Sequence, residues 1–220
     1  MELINFDEQK EKKKSKYHFL LPDCHYMIIG ATGVGKTNLL LNLILQYMNY
    51  DHCKIYTITP EQDKYQLLHE YSELFDENMD SIFEISPPED VTPVEELDDE
   101  SNKVIIFDDI KLDNKNMNNI KEYFSLSRNK NCNCIYLTQS YYDVPKYIRR
   151  NTKCFILFGG LDNKDIRHIS DDLSKNIGRQ EFGRIYREAI SEPYSFMTVD
   201  KTSKYIPEMY RKRFDGFNLK

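Results

Sequence analysis

Residues 30–37 read Gly-Ala-Thr-Gly-Val-Gly-Lys-Thr, which is a complete G-x-x-x-x-G-K-[ST] phosphate-binding loop. The loop follows the apolar run Tyr26-Met27-Ile28-Ile29 and opens into an amphipathic stretch from Asn38 to Met48. This order of strand, loop and helix distinguishes the motif from a glycine turn that only caps a helix. Such a turn would need neither Lys36 nor Thr37. The stretch therefore predicts a nucleoside triphosphate site on an α/β domain.

Each residue type in the loop has a physical role in holding phosphate. Backbone N–H groups of the glycine-rich segment close around the phosphates at a helix N-terminus, whose dipole favours anions. Lys36 is expected to reach the β- and γ-phosphate oxygens, and the Thr37 hydroxyl is expected to ligate Mg²⁺. The predicted nucleotide-binding residues are Gly30, Ala31, Thr32, Gly33, Val34, Gly35, Lys36 and Thr37.

Short apolar segments alternate with helical periods along the rest of the 220-residue chain. This alternation indicates βαβ units and a mostly parallel central sheet with helices on both faces. Nearly continuous apolar runs, such as Val104-Ile105-Ile106-Phe107, are typical of strands that are buried on both faces. Strands are predicted at 25–30, 54–59, 81–85, 103–108, 133–138, 154–158 and 195–199, and helices at 36–48, 62–75, 115–127, 162–173 and 180–190.

A single α/β domain over residues 18–205 is the economical division of the chain. Residues 1–17 are polar and lysine-rich, which predicts a flexible N-terminal arm. Residues 206–220, with the cluster Arg211-Lys212-Arg213, are predicted to form a basic C-terminal tail. The segment 86–102 is acidic and contains three prolines, which favours an exposed connection.

Composition and charge restrict the class of protein. The formal net charge of −6 gives no overall basic footprint for nucleic acid, so a DNA contact has to use local clusters. Five cysteines without a C-x-x-C pair argue against a disulfide framework and indicate a reducing compartment. The apolar stretch Leu39–Leu45 is too short to span a bilayer, and the polar N-terminus has no apolar signal region. We expect no membrane insertion.

A second motif reads Val104-Ile105-Ile106-Phe107-Asp108-Asp109, four apolar residues followed by two acids. In a doubly wound sheet, the carboxyl end of such a strand faces the nucleotide crevice. Asp108 is predicted to hold Mg²⁺, and Asp109 is predicted to position and polarise the attacking water. Lys111 breaks the D-x-x-G pattern of GTPases, and Asn163-Lys164-Asp165-Ile166 fails the last position of N-K-x-D. The pair of acids therefore predicts an ATPase that uses water.

Polar residues near two further strands complete the predicted site. Gln139 follows the apolar run that ends at Thr138, and its amide can both donate and accept hydrogen bonds. This suits a sensor of phosphate state, with a strand-end cap as the equal alternative. A ring ATPase needs an arginine that reaches the γ-phosphate of a neighbour. We expect at least one of three arginines to act in trans: Arg128, Arg149 or Arg150.

The ordered runs GATGVGKTNLL, VIIFDD and LSRNKNCNCIYLTQSYYDVPKYIRRNTKCFILF resemble the genome-packaging ATPases of poxviruses and related DNA viruses. These ATPases belong to the FtsK–HerA superfamily of P-loop NTPases. The resemblance implies an ASCE-type fold with an additional strand, ATP hydrolysis with Mg²⁺ and translocation of double-stranded DNA. It also implies a homo-oligomeric ring, a capsid or portal partner, and action in the host cytoplasm and in the virion.

By position, the resemblance assigns a catalytic set of Lys36, Asp109, Gln139 and Arg128, with Arg128 as the arginine that acts in trans. It assigns the Mg²⁺ ligands to Thr37 and Asp108. This chain departs from the family pattern beside two of these residues. Asp109 stands where many members have Glu, and Asn129 stands where viral relatives often have His.

Two other functions stay open on the sequence. A nucleotide-binding switch or scaffold would use the triphosphate to order an assembly surface without sustained turnover. A small-molecule kinase would pass the phosphoryl group to an acceptor. If the chain does act on DNA, its acidic net charge requires basic groups that are concentrated on one surface. Candidates for that surface are Lys12, Lys13, Lys14 and Lys146.

Overall fold

The structure is a computed structural model that describes residues 24–60, 65, 68, 70, 82–110 and 117–216. The predicted arm at 1–17 lies outside these residues, as does most of the predicted helix at 62–75. Within the described ranges, no helix has the length and apolar character needed to cross a bilayer.

The described strands form one sheet at the centre of the molecule. Their bounds are β1 (Tyr26–Ile29), β2 (His52–Thr57), β3 (Phe83–Ser86), β4 (Lys103–Asp108), β5 (Cys132–Thr138), β6 (Cys154–Phe158), β7 (Phe196–Asp200), β8 (Tyr210–Lys212) and β9 (Asp215–Gly216). The order across the sheet is β3-β2-β4-β5-β1-β6-β7-β8-β9. All seven strands that the sequence predicts are present, and their ends differ from the predicted ones by at most two residues.

The sheet is parallel from β3 to β6 and antiparallel from β6 to β9. Strand β5 lies between β1 and β4, which is the additional strand that the resemblance implies. In the register, Ile29 is opposite Thr138 and Asp108 is opposite Leu137. The carboxyl ends of β4, β5 and β1 therefore meet at one edge of the sheet, which we call the carboxyl edge.

Helices cover both faces of the sheet, as the sequence predicts. They are α1 (Lys36–Asn42, continued by a π-helical segment Leu43–Tyr47), α2 (Met117–Leu126), α3 (Lys146–Asn151), α4 (Asn163–Leu173), α5 (Arg179–Ala189) and α6 (Ile206–Met209). Their buried residues follow helical spacing, as at Phe182, Ile185, Tyr186 and Ala189 of α5. Because strand side chains alternate, Met27 and Ile29 pack in the core with α2, α4 and α5, whereas Tyr26 and Ile28 pack with α1.

The C-terminal segment corrects the sequence prediction of a basic tail at 206–220. Over its described part, to residue 216, the segment forms α6 and the edge strands β8 and β9. Tyr210 is fully buried, and its hydroxyl donates a hydrogen bond of 2.7 Å to the carbonyl of Leu173. A strand of three residues is too short to show the alternation of apolar and polar residues that marks a strand. The sequence prediction of a tail therefore depended on the basic residues alone.

The basic residues Arg211, Lys212 and Arg213 of this segment form ion pairs with acidic residues of the same domain. The Arg211 guanidinium lies 3.4 Å from the buried carboxylate of Asp200. Lys212 and Arg213 both pair with Glu192, at 2.6 and 3.3 Å. The cluster therefore joins the C-terminal segment to the end of β7 and to the loop that precedes this strand.

The acidic connection at 86–102 is more ordered than an exposed loop. It contains two short 3₁₀ turns, at Pro88–Asp90 and Val94–Glu96. Val91 and Val94 are buried against α2, and the Tyr123 hydroxyl donates a hydrogen bond of 2.7 Å to the carbonyl of Thr92. The valines in the segment bury enough apolar surface to hold it on the sheet, although its acids are exposed.

All five cysteines of the chain are buried free thiols. Burial raises the pKa of four of them, Cys24, Cys53, Cys134 and Cys154, well above the usual thiol range. They therefore pack as small apolar residues.

Candidate active site

The glycine-rich loop at 30–35 joins β1 to α1 and is fixed by the strands on both sides of β1. The Gly30 N–H donates to the carbonyl of Thr138 at the end of β5, at 3.2 Å. The Ala31 N–H donates to the carbonyl of Gly159, just after β6, at 3.3 Å. The loop therefore starts from a rigid position at the carboxyl edge of the sheet.

Glycine is required at three positions of this loop. Gly33 and Gly35 have φ angles of 78° and 101°, in the left-handed region that side chains disfavour. A Cβ on Gly30 would lie only 2.5 Å from the Cβ of Phe158. The motif glycines thus permit a backbone path whose N–H groups are free of crowding by side chains.

Lys36 begins α1 and its side chain folds back over the loop. Its ammonium group donates hydrogen bonds to the carbonyls of Gly30, at 2.6 Å, and Ala31, at 2.8 Å. These contacts place a positive charge at the mouth of the loop, where phosphate oxygens are expected.

The three sequence motifs line one cleft of about 300 Å³ at the carboxyl edge of the sheet. This volume is at the lower end of the range for small-molecule sites. Most of its lining residues have polar or charged side chains, and they are Thr32, Gly33, Gly35, Lys36, Thr37, Asn38, Asp108, Asp109 and Gln139. Most of the predicted site residues are therefore brought together, although they are up to 107 positions apart in the sequence.

The two acids of the second motif have different surroundings. Asp108 is the last residue of β4 and is buried, and its carboxylate accepts a hydrogen bond from the Tyr65 hydroxyl. Burial and the Asp108 charge both raise the pKa of Tyr65, so this hydroxyl stays a donor. Asp109 has a φ of 53°, a conformation that Asp tolerates better than most residues, and its carboxylate lines the cleft.

A hydrogen-bonded chain joins the phosphate loop to the second acid through Gln139. The Thr32 hydroxyl donates to Oε1 of Gln139 at 2.9 Å, and Nε2 of Gln139 donates to Oδ2 of Asp109. The Gln139 side chain thus contacts two other segments. This arrangement favours the sensor over the strand-end cap, and the sensor role itself stays a prediction.

The donor set of the cleft fits Mg²⁺. The Thr37 hydroxyl and the Asp108 carboxylate are hard oxygen ligands that line the same cleft. Within the described part of the chain, no group of three or more His, Cys, Asp or Glu side chains could hold a metal alone. An ion at this site would therefore take its other ligands from phosphate and water, as Mg²⁺ commonly does.

None of the three candidate arginines lines the cleft of its own chain. Arg128 lies in the 3₁₀ turn Ser127–Lys130 before β5 begins, which is the opposite, amino edge of the parallel strands. It is exposed, and its charge contributes to lowering the pKa of His25 at the start of β1. Its proposed action on a neighbouring subunit stays a prediction.

Arg149 and Arg150 lie at the end of α3, also near the amino edge. Arg149 is held within its own chain, because it pairs with Asp172 at 2.8 Å and lies 4.7 Å from the centre of the Tyr141 ring. Arg150 is exposed. The structure therefore favours Arg128 and Arg150 over Arg149 as residues that could reach a neighbour.

Two residues that support the cleft were missed by the sequence analysis. Tyr65 orients Asp108, and a tyrosine in a predicted helix gave no signal of this contact. Gly160 has a φ of 76°, and a Cβ on it would lie 2.6 Å from the Cβ of Ala31 in the loop. The Gly159-Gly160 pair after β6 was a usable signal, since paired glycines after a strand often mark a close backbone approach.

The fold and the cleft together define a class of protein. A phosphate loop after β1, acids at the end of β4 and an inserted strand β5 that ends in a polar residue are the features of a P-loop NTPase. The chain belongs to the family described as type III restriction enzyme, res subunit, whose profile matches residues 6–163.

Solved structures with a similar fold include two viral proteins. The DNA-packaging ATPase B204 from Sulfolobus turreted icosahedral virus superimposes with a TM-score of 0.57 at 18% identity, over 84% of this chain and 95% of that chain. The genome packaging NTPase B204 from Sulfolobus turreted icosahedral virus 2, in complex with ATP-gammaS, gives a TM-score of 0.54 at 16% identity, over 84% and 96%. At these identities the likeness concerns the fold. No curated protein sequence matches the chain.

Proposed function

We propose that the protein is an ATPase that drives double-stranded viral DNA into a capsid. The observation that carries this proposal is the hydrogen-bonded chain from Thr32 through Gln139 to Asp109. It links the phosphate loop to a carboxylate that can act on water, on a fold similar to that of a DNA-packaging ATPase and a genome packaging NTPase.

ATP is the proposed nucleotide. Lys36 and the N–H groups of the loop bind the phosphates, and the cleft offers them a site of about 300 Å³. Support for ATP comes from the similar fold of the packaging NTPase that binds ATP-gammaS.

In the proposed reaction, Asp109 orients and polarises a water molecule for attack on the γ-phosphate. Gln139 holds the Asp109 carboxylate and, through Thr32, responds to what occupies the loop. Thr37 and Asp108 would hold Mg²⁺, which neutralises negative charge on the phosphate oxygens when it is bound. The Tyr65 hydroxyl orients Asp108 by donating a hydrogen bond to its carboxylate.

A cluster of cations at the amino edge supports DNA as the translocated molecule. We call it the basic cleft, and it has a volume of about 420 Å³. Its basic lining residues are Lys146, Arg149, Arg150, Lys175 and Lys201. Burial together with the charges of Lys153 and Lys175 lowers the pKa of Lys201, as expected for crowded cations. Such a surface is suited to phosphate groups, and Lys146 was singled out from the sequence for this role.

A ring of identical subunits and a capsid or portal partner complete the proposal. A ring would let Arg128, which is exposed at the amino edge, reach the nucleotide of a neighbouring subunit. The proposed place of action is the site of viral assembly in the host cytoplasm, and the virion.

The experiment that tests this function is steady-state ATP hydrolysis with and without double-stranded DNA at low salt. We expect DNA to stimulate hydrolysis in the wild type. Lys36→Ala should lose nucleotide binding, and Asp109→Asn should retain binding and lose turnover about 100-fold or more. A rate of hydrolysis that does not change with DNA would contradict the motor function. Tight ATP binding with negligible turnover would favour the nucleotide-binding switch or scaffold. Phosphoryl transfer to a small acceptor would instead identify a kinase.

DNA binding at the basic cleft is tested separately by its salt dependence. Replacing both Lys146 and Lys175 with Ala should lower the slope of log affinity against log salt by about 2, since each lost phosphate contact changes it by about 0.9. The matched control is Arg187→Ala at an exposed position of α5. An unchanged slope in the double variant would place the DNA contact elsewhere.

A further inference from the structure

Tyr194 lies directly against the phosphate loop. The position that a Cβ would take on Gly35 is 3.3 Å from Cδ1 of Tyr194. The tyrosine is nevertheless 72% exposed, which makes it one of the most exposed large side chains among the described residues. An aromatic ring therefore stands in solvent at the edge of the nucleotide cleft.

The backbone at this position does not favour a tyrosine. Tyr194 has a φ of 58°, in the left-handed region where bulky residues are outliers. Glycine or asparagine would adopt this conformation with less strain. Strain of this kind is concentrated at functional sites. The ring itself, and not the turn, is then the reason for a tyrosine here.

The loop that carries Tyr194 is fixed to the edge of the sheet. The N–H of Ser195 donates to the carbonyl of Glu192 at 3.1 Å, which closes a turn around Tyr194. The Glu192 carboxylate is in turn bound by Lys212 and Arg213 of the C-terminal segment. The turn that carries the ring is therefore held in place before any ligand arrives.

Sheet order determines on which side of the loop the ring lies. Tyr194 precedes β7, whose first residue Phe196 is opposite Phe158 at the end of β6. Strand β6 adjoins β1 on one side, whereas β5 and then the β4 acids lie on the other. A triphosphate whose γ-phosphate faces Asp109 thus has its nucleoside end on the side of Tyr194.

We propose that Tyr194 is a stacking platform for the base of the bound nucleoside triphosphate. This inference rests on the proposed nucleotide site and adds the base to a site that the motifs define only for phosphate. Stacking on an aromatic face tolerates any base. The platform therefore adds affinity for nucleosides and does not by itself select adenine over guanine.

Binding assays on two variants test the platform. Tyr194→Asn suits the left-handed backbone and removes the ring, so the fold is retained, and Tyr194→Phe keeps the ring. We expect Tyr194→Asn to weaken ATP and GTP binding about tenfold, the effect typical of a lost base stack, and Tyr194→Phe to bind as the wild type does. Inorganic tripolyphosphate, which has no base, should bind all three proteins equally.

A spectroscopic readout exploits the absence of tryptophan from the sequence. In Tyr194→Trp, the only indole stands at the proposed platform, and ATP should change its fluorescence while tripolyphosphate should not. The matched control is Tyr205→Trp, at a position that is 70% exposed and lies before α6, away from the cleft. The fluorescence of Tyr205→Trp should change with neither ATP nor tripolyphosphate.

The outcomes separate this inference from the proposed function. If Tyr194→Asn binds ATP as tightly as the wild type while Lys36→Ala loses binding, the platform is wrong and the nucleotide site stands. If Lys36→Ala also binds ATP normally, the nucleotide site itself is wrong. Equal losses of ATP and tripolyphosphate in Tyr194→Asn would mean that the ring only supports the loop, which also overturns the platform.

Discussion

Gly160 shapes the phosphate loop from outside the motif. In Gly160→Ala, the new methyl group would lie 2.6 Å from the Cβ of Ala31, in a backbone with a φ of 76°. We expect the loop to shift, the KM for ATP to rise about tenfold or more, and the free energy of unfolding to fall by about 2–4 kcal/mol. ATPase kinetics and urea unfolding measure these two effects.

Gly178→Ala is the matched control for this prediction. Gly178 has nearly the same φ, 79°, but nothing lies within 4 Å of the position of its Cβ. Its substitution should cost only the strain of a backbone with φ 79° and ψ 159°, about 1–3 kcal/mol, and leave the KM unchanged. Equal KM values for the two variants would show that Gly160 does not support the loop.

At the scale of single residues, the motifs best predict those site residues that act through their own backbone conformation or their own charge. Gly35, Lys36 and Asp108 are of this kind, because spacing along the chain fixes their positions relative to one strand and one helix. Tyr65 is different. Its contact with Asp108 spans 43 positions and depends on how a helix packs on the sheet, which no local pattern encodes.

At the scale of elements, β8 is an integral part of the sheet. Tyr210 is buried and bonded to the carbonyl of Leu173, so Tyr210→Ala should lower the free energy of unfolding by about 3–5 kcal/mol. Tyr210→Phe removes only the hydroxyl and should cost about 1–2 kcal/mol. Tyr205→Ala, at an exposed position nearby, should be close to neutral. Urea unfolding measures all three effects. An unchanged free energy of unfolding in Tyr210→Ala would instead support the loosely attached tail that the sequence predicts.

We expect His25, just before β1, to make the protein less stable in mild acid. Burial, with the charges of Arg128 and Lys153, lowers the pKa of His25 to about 4 from 6.5. The unfolded chain therefore binds a proton that the folded chain excludes between these pH values. This contribution to stability is complete above pH 6.5 and is lost as the pH falls towards 4, by about 2 kcal/mol between pH 7 and pH 5.

His25→Asn tests this prediction. The asparagine retains an acceptor for the Cys134 N–H, which bonds to Nδ1 of His25 at 3.2 Å, but it does not titrate. The free energy of unfolding should then change about 2 kcal/mol less between pH 7 and pH 5 than in the wild type. His52→Asn, at an exposed position of β2, serves as the control and should keep the wild-type difference.

The length of an element decides whether the sequence reveals it. The predicted strands were found because buried strands read as apolar runs of four or more residues, as at Cys154–Phe158. The short elements α3, α6, β8 and β9 were missed because none completes enough periods to stand out. Tertiary contacts stabilise them, such as that of Tyr210 with Leu173.

At the scale of the whole molecule, the two edges of the sheet carry different chemistry. The nucleotide cleft is at the carboxyl edge, and Arg128 is at the amino edge of the same strands. Arg128 does not line the cleft of its own chain, so its proposed role requires the nucleotide of another subunit. We expect Arg128→Ala to lower kcat about 1000-fold with ATP binding retained, as for other arginines that act on transferring phosphate.

Mixing two inactive proteins tests this arrangement. Arg128→Ala has an intact cleft, and Asp109→Asn has an intact arginine, so mixed rings contain some complete sites. ATPase activity should therefore reappear on mixing. The control mixture, Arg150→Ala with Asp109→Asn, should follow the sum of its parts. If the first mixture stays inactive while size measurements show mixed oligomers, Arg128 does not act in trans.

The clustering of positive charge in the basic cleft could not be predicted from the net charge of the sequence. The net charge of −6 gave no sign of the basic cleft, because its cations come from α3, the end of α4 and the end of β7. Their convergence depends on the order of the strands across the sheet. The sequence predicts that a sheet exists from its apolar runs, but pairing partners depend on long-range contacts that composition does not encode.

The buried thiols make this chain a convenient material for labelling. Alkylating reagents attack the thiolate, and burial disfavours that form at Cys24, Cys53, Cys134 and Cys154. A dye attached through a single cysteine introduced at position 146 should therefore mark the basic cleft without removal of the native cysteines. The same native thiols become reactive only when the core opens, so their rate of modification in the unlabelled protein reports how often that happens.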